Sequence, residues 1–136
     1  MSWVEDRIET IFTWVKSNTI EALKTTYPDI NFTMDDSENT TAKFPNVYMY
    51  FDVTERGQTL DGQAINAVFM TIRAKVSASK SQGNPVAQRV NAQVRDELKK
   101  LRFNTSGSPI PTTLGDVKII NSNYGRVIGH DDPLII

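Results

Sequence analysis

One short run in the 136-residue chain gathers side chains that could hold a metal or exchange protons: His130-Asp131-Asp132, followed by Pro133. An imidazole and two carboxylates are the right chemical types for either task. Their spacing serves neither. Neighbours in an extended chain point to opposite sides, and the chain's single histidine cannot build the common multi-histidine zinc sets. The plain expectation is a solvated turn. Asp35-Asp36-Ser37-Glu38-Asn39 is rich in oxygen donors, as calcium loops are. It lacks the alternating ligands, central glycine and closing glutamate of an EF-hand, so it too reads as a solvated loop. Gly57, Gly62 and Gly83 form neither a P-loop nor a GxGxxG turn. No serine sits in a nucleophile elbow, and any Ser-His relay would rest on His130 alone. The absence of cysteine removes disulfides, thiolate metal sites and thiol nucleophiles. The residues therefore specify no catalytic, metal or cofactor site, and the expectation is a protein that is not an enzyme.

Charge and apolar surface say more. Arg89, Arg95, Lys99, Lys100 and Arg102 crowd one segment and could meet phosphate, which keeps a small nucleic-acid-binding module as an alternative reading. Asp96 and Glu97 interrupt that run. With 15 basic and 16 acidic residues the chain has no global pull toward nucleic acid or anionic membrane, and no sequence-specific nucleic acid is expected as a partner. No stretch approaches the ~20 apolar residues that span a bilayer, and the first residues lack the basic and apolar pattern of a secretion signal. Synthesis and folding in a cytosol are the expectation. Tyr48, Tyr50 and Phe69 fall on what should be the outer face of a sheet, with few charges near them, and the chain closes on Leu134, Ile135 and Ile136. These six are the candidate protein-interface residues, because exposed contiguous apolar surface marks partners.

The elements that would carry them are legible from periodicity. Val4, Ile8, Ile11, Phe12, Val15, Ala22 and Leu23 recur at helical spacing and predict a helix over about 3–26. Ser2 and Glu5 suit a capping box, and Pro28 marks the helix end. Residues 30–34 alternate as a short strand, and residues 46–53 read as another, with Val47, Met49, Phe51 and Val53 on one face. Residues 64–78 alternate most clearly: Val68, Met70, Ile72, Ala74 and Val76 point one way, Phe69, Arg73 and Lys75 the other. Asn84-Pro85 is a favoured helix start, and Val86, Val90, Val94, Leu98 and Leu101 carry that helix to about Phe103. Residues 35–43, 54–63 and 104–115 read as polar loops, and residues 116–121 and 124–128 as one or two closing strands. The expected fold is α+β: a mostly antiparallel sheet with two amphipathic helices packed on one face, in the order α-β-β-β-α-β-β, as a single domain over residues 1–136.

In this order of elements the chain resembles the tail terminator, or tail completion, proteins of long-tailed bacteriophages. The likeness rests on the helix from Val4 to Leu23 ended at Tyr27-Pro28, the Phe44-Pro45-Asn46-Val47-Tyr48-Met49-Tyr50 segment leading into a strand, the long Val68–Val76 strand, the helix from Pro85 to Leu101 and the final Gly125-Arg126-Val127-Ile128. It implies a structural virion protein that forms a homo-oligomeric, hexameric ring. Such a ring caps the tail tube protein, ends its elongation and meets the head–tail connector protein. It would assemble in the host cytoplasm and end at the head-proximal end of the tail. Another neck or head–tail joining ring protein is the nearest alternative.

Overall fold

Hydrophobic alternation at two different periods builds this chain into a sheet with helices on one side. The computed structural model describes residues 2–34, 44–58, 65–129, 132 and 134, with the side chains of residues 2, 55–58, 65 and 66 outside the description. Helix α1 spans Ser2–Leu23, strand β1 Asn31–Thr33, β2 Asn46–Gln58, β3 Ile65–Ala78, helix α2 Gly83–Lys100, and strands β4 Asn104–Thr105, β5 Ile110–Leu114 and β6 Val117–Gly129. The sheet runs β1-β2-β3-β6-β4, and β5 also pairs with β6. Only β1 and β2 are parallel; every other pair is antiparallel. The fold class is the one expected.

Register decides which side chains meet. Met49 lies opposite Ala74, which lies opposite Ser122. Val47, Val76 and Ile120 form the next row on the same face. Val68, Met70, Ile72, Ala74 and Val76 are all fully buried there. The buried stripe of α1 is Val4, Ile11, Val15, Thr19 and Leu23, and that of α2 includes Ala87, Val90, Val94 and Leu98. Both stripes join the sheet in one hydrophobic cluster. Helix α2 crosses β3 and β6, α1 lies beside α2, and Phe12 of α1 meets Phe32 of β1 edge-to-face with ring centroids 6.4 Å apart.

Several boundaries differ from expectation for identifiable reasons. Helix α1 stops at Leu23, and Lys24–Thr26 form a turn in which the Tyr27 amide donates to Leu23 O at 2.7 Å. Ala22, counted in the buried stripe from spacing, is exposed, and Thr19 takes a place in it. Residues 54–58 extend β2 rather than opening a loop, because their backbone pairs with β3 as far as Gln58 opposite Ile65. Asn84 is not the cap of α2. The helix starts at Gly83 after Gln82, which makes no side-chain cap; instead Gln82 Nε2 donates to Phe44 O at 3.2 Å and ties the helix start to the base of β2. The closing segment, expected as one strand or two, is one strand, because its backbone pairs with β3 without a break through Ser122, whose hydroxyl donates to Asn91 Oδ1 of α2 at 2.9 Å. The expected 104–115 loop contains β4 and β5, which line successive stretches of the outer edge of β6. The expected 35–43 loop and the Ser2 side chain lie outside the described residues.

The end of α2 closes with two backbone hydrogen bonds: the Phe103 amide donates to Leu98 O at 3.0 Å and the Arg102 amide to Lys99 O at 2.9 Å. This is the Schellman pattern, with Arg102 in the left-handed position at φ 67° and the apolar pair Leu98 and Phe103 buried beneath it.

Candidate functional site

The helices cover one face of the sheet, and the opposite face is the candidate site. Tyr48, Lys75 and Asn121 form one row across β2, β3 and β6; Tyr50, Arg73 and Asn123 form the next. Asp52, Thr71 and Gly125 follow, then Thr54, Phe69 and Val127. Tyr50 is 46% exposed and Val127 52%, while Tyr48 and Phe69 are half-buried. The Arg73 guanidinium stands 5.8 Å from the Tyr50 ring centroid, within cation–π range. Phe69 lies against the backbone of Gly125: a Cβ there would come within 2.9 Å of Phe69 Cζ. Glycine at this point of β6 makes room for the ring.

The structure thus brings Tyr48, Tyr50 and Phe69 onto one face but does not make them one patch. Phe69 lies four positions along β3 from Arg73, the partner of Tyr50, which is roughly 14 Å along a strand. The Asp52–Thr71 row lies between them. The expectation of few charges nearby also fails, since Arg73, Lys75 and Asp52 interleave with the aromatics. The face has an aromatic–cationic half around Tyr48 and Tyr50 and an apolar half at Phe69 and Val127.

Leu134 is not available to a partner. It is 3% exposed and belongs to the core cluster. Asp132 holds it there: its Oδ1 accepts the Leu134 amide at 2.7 Å, and its own amide donates to Gly129 O at 3.1 Å. Its Oδ2 accepts a hydrogen bond from Arg126 Nη2 in an ion pair whose side chains are 9% and 17% exposed. Arg126 also donates to Leu101 O at 2.5 Å and lies over the Phe103 ring. Asp132 is therefore the clasp that ties the chain's last segment to the end of α2, not a solvated turn. Burial pulls the Arg126 pKa down from its ordinary value, and the Asp132 carboxylate opposes that. His130, Asp131, Ile135 and Ile136 lie outside the described residues. Among the described residues no three His, Cys, Asp or Glu side chains converge as metal ligands, and no helix is long and apolar enough to cross a membrane.

The basic run of α2 is divided. Arg89 lies 6.0 Å from the Tyr27 ring centroid. Lys100 pairs with buried Glu97 at 3.2 Å. Arg95 and Lys99 line a cavity beside β6. No continuous phosphate track results from these positions.

Sequence reasoning missed the β5–β6 hairpin. All of β5 is exposed, and it displays Ile110 at 60% and Leu114 at 69%. Leu114 pairs with Val117 across the two-residue turn Gly115-Asp116, with Gly115 at φ 60°, as hairpin turns that place glycine first require. Leu-Gly-Asp-Val before an apolar run was the available signal; Pro109 and Pro111 masked it.

No protein-family model matches the chain, and no curated protein matches it. Among the solved structures that match, one aligns with 89% of this chain and 92% of its own, with a TM-score of 0.50 at 15% sequence identity. At that identity the likeness concerns the fold alone.

Proposed function

We propose that this chain is a ring-forming structural subunit of the tail terminator kind, which would cap a phage tail tube and meet the head–tail connector. The observation that carries the reading is the one-sided cover of the sheet. Its helices occupy one face, while Tyr50 and Val127 on the other face and Ile110 and Leu114 on the hairpin remain exposed. A ring needs two different surfaces on each subunit that fit head to tail. Ile110 pairs with Asn121 and Leu114 with Val117, so the apolar side chains of the hairpin extend the open face to the β5 edge, and that face supplies one such surface. Interfaces of this type favour aromatic and arginine anchors, and Tyr50 with Arg73 is such a pair.

Sedimentation of the purified chain against Leu114→Asp tests this. Leu114 is 69% exposed, so its replacement should change stability by no more than about 0.5 kcal/mol. The expected result is concentration-dependent association of the parent chain that Leu114→Asp weakens at least tenfold. Equal sedimentation of both as monomers at millimolar concentration would count against the hairpin as an interface.

A further inference from the structure

A small cavity beside β6 carries chemistry that the ring reading does not use. It has a volume of about 180 Å³. Arg95 and Lys99 of α2 line one side, Thr105 of β4 and Ser108 another, and Ser122 and Tyr124 of β6 complete it. Residues 106–109 connect β4 to β5 here, pinned by the Ser106 amide donating to Asn123 O at 2.8 Å.

Two polar atoms at this cavity are buried without a well-formed hydrogen bond: Tyr124 Oη, whose near partner is the Ser122 hydroxyl, and Arg95 Nε. Tyr124 is 1% exposed. Its neighbour Ser122 directs its hydroxyl to Asn91 Oδ1 at 2.9 Å. Asp96 Oδ1 stands 3.9 Å from Arg95 Nε, beyond hydrogen-bond reach, and the Asp96 side chain is 59% exposed. Buried polar atoms are nearly always paired, so two orphans in one place require an explanation. Every charged side chain lining the cavity is a cation. An Arg N–H, a Lys ammonium and phenol and serine hydroxyls can all donate, and the first two cannot accept.

We propose that this cavity is a binding site for a small oxyanion, a carboxylate or a phosphate group, held by Arg95, Lys99 and the Tyr124 hydroxyl. An acceptor-only, negatively charged group gives both orphaned donors what they lack. The edge of a guanidinium presents parallel N–H donors that match two oxygens of such a group. Burial raises the Tyr124 pKa above its ordinary value, against the smaller opposing effects of a side-chain hydrogen bond with Ser122 and of the Arg95 charge. The phenol therefore keeps its proton and remains a donor at neutral pH. The site is independent of the ring: it exists within one subunit.

The test is a nuclear magnetic resonance titration of the ¹⁵N-labelled full chain at pH 7 and constant ionic strength, with sodium phosphate in one arm and sodium acetate in the other. The expected result is a saturable shift of the Arg95 Nε–Hε resonance in at least one arm, and the arm that saturates identifies the oxyanion class. Tyr124→Phe should weaken binding about tenfold or more, the effect of losing one hydrogen bond to a charged group, while leaving the dispersed amide spectrum intact. Arg95→Gln should abolish saturation. Lys80→Gln, which removes an exposed cation outside the cavity, should leave binding unchanged. Shifts that rise linearly in both arms, or that weaken equally in Lys80→Gln, would overturn the proposal. So would a Tyr124→Phe chain that melts well below the parent in ion-free buffer, because the hydroxyl would then already have a partner.

Discussion

Asp132 carries more of the structure than its place in a polar tail suggests. It bridges Arg126, the Leu134 amide and, through its own amide, Gly129. Asp132→Ala would leave the Arg126 guanidinium, 9% exposed, without its counter-charge and release Leu134 from the core. Breaking a fully buried pair costs more, but this one is partly wet, so the expected loss is about 1–3 kcal/mol in urea unfolding. A change below a few tenths would mean that the clasp does not hold the tail. Tyr124 makes a separate prediction. Burial raises its pKa above 10.0 in the folded chain, so the unfolded chain gives up this proton first as pH rises. The unfolded state then binds fewer protons, and stability present below about pH 10 declines above it. Tyr124→Phe should flatten that alkaline limb in unfolding curves recorded from pH 9 to 11; an unchanged slope would mean that this phenol does not titrate differently on folding.

At the scale of elements, the end of α2 offers a stabilising change. Arg102 occupies a left-handed position at φ 67°, where glycine is the usual residue. Its side chain is exposed, so Arg102→Gly removes little packing. The expected gain is about 0.5–1 kcal/mol, read as a higher melting temperature; a lower one would show that Arg102 contributes contacts beyond its backbone. The same scale shows what periodicity can and cannot reveal. The 65–78 alternation identified the core face of β3 because five apolar residues at period two leave no other arrangement. Helical spacing identified most of both helix stripes, but not Thr19, whose polarity hides its burial. Residues 116–121 and 124–128 read as one strand or two, because the partner of Ser122 between them, Asn91, lies 31 residues away and is invisible to local pattern. Tyr48, Tyr50 and Phe69 were correctly placed together on the outer face, yet their separation depends on register, and register comes from pairing between strands. Leu134 looked like a loose terminal side chain because nothing local announces the Arg126–Asp132 clasp.

At the scale of the whole molecule, a sheet covered on one face leaves an assembly problem. The outer face is neither a plain solvated surface nor a plain apolar one. Its two halves differ in chemistry, with Tyr50 and Arg73 in one and Phe69 and Val127 in the other. Mixed faces of this kind give register to a contact, because an apolar half resists being laid on a charged one. The exposed Ile110 and Leu114 of the hairpin continue this face, because they pair with Asn121 and Val117. A head-to-tail contact closes into a ring when the rotation between copies divides a full turn, and otherwise gives open filaments. Phage assembly is the setting we propose for that geometry.

The most direct measurement is electron microscopy of the purified chain mixed with phage tail tubes. The account predicts rings seated at one end of each tube, and fewer capped tubes for Leu114→Asp. Dispersed single subunits that leave both tube ends bare, at concentrations well above those of the tubes, would contradict it.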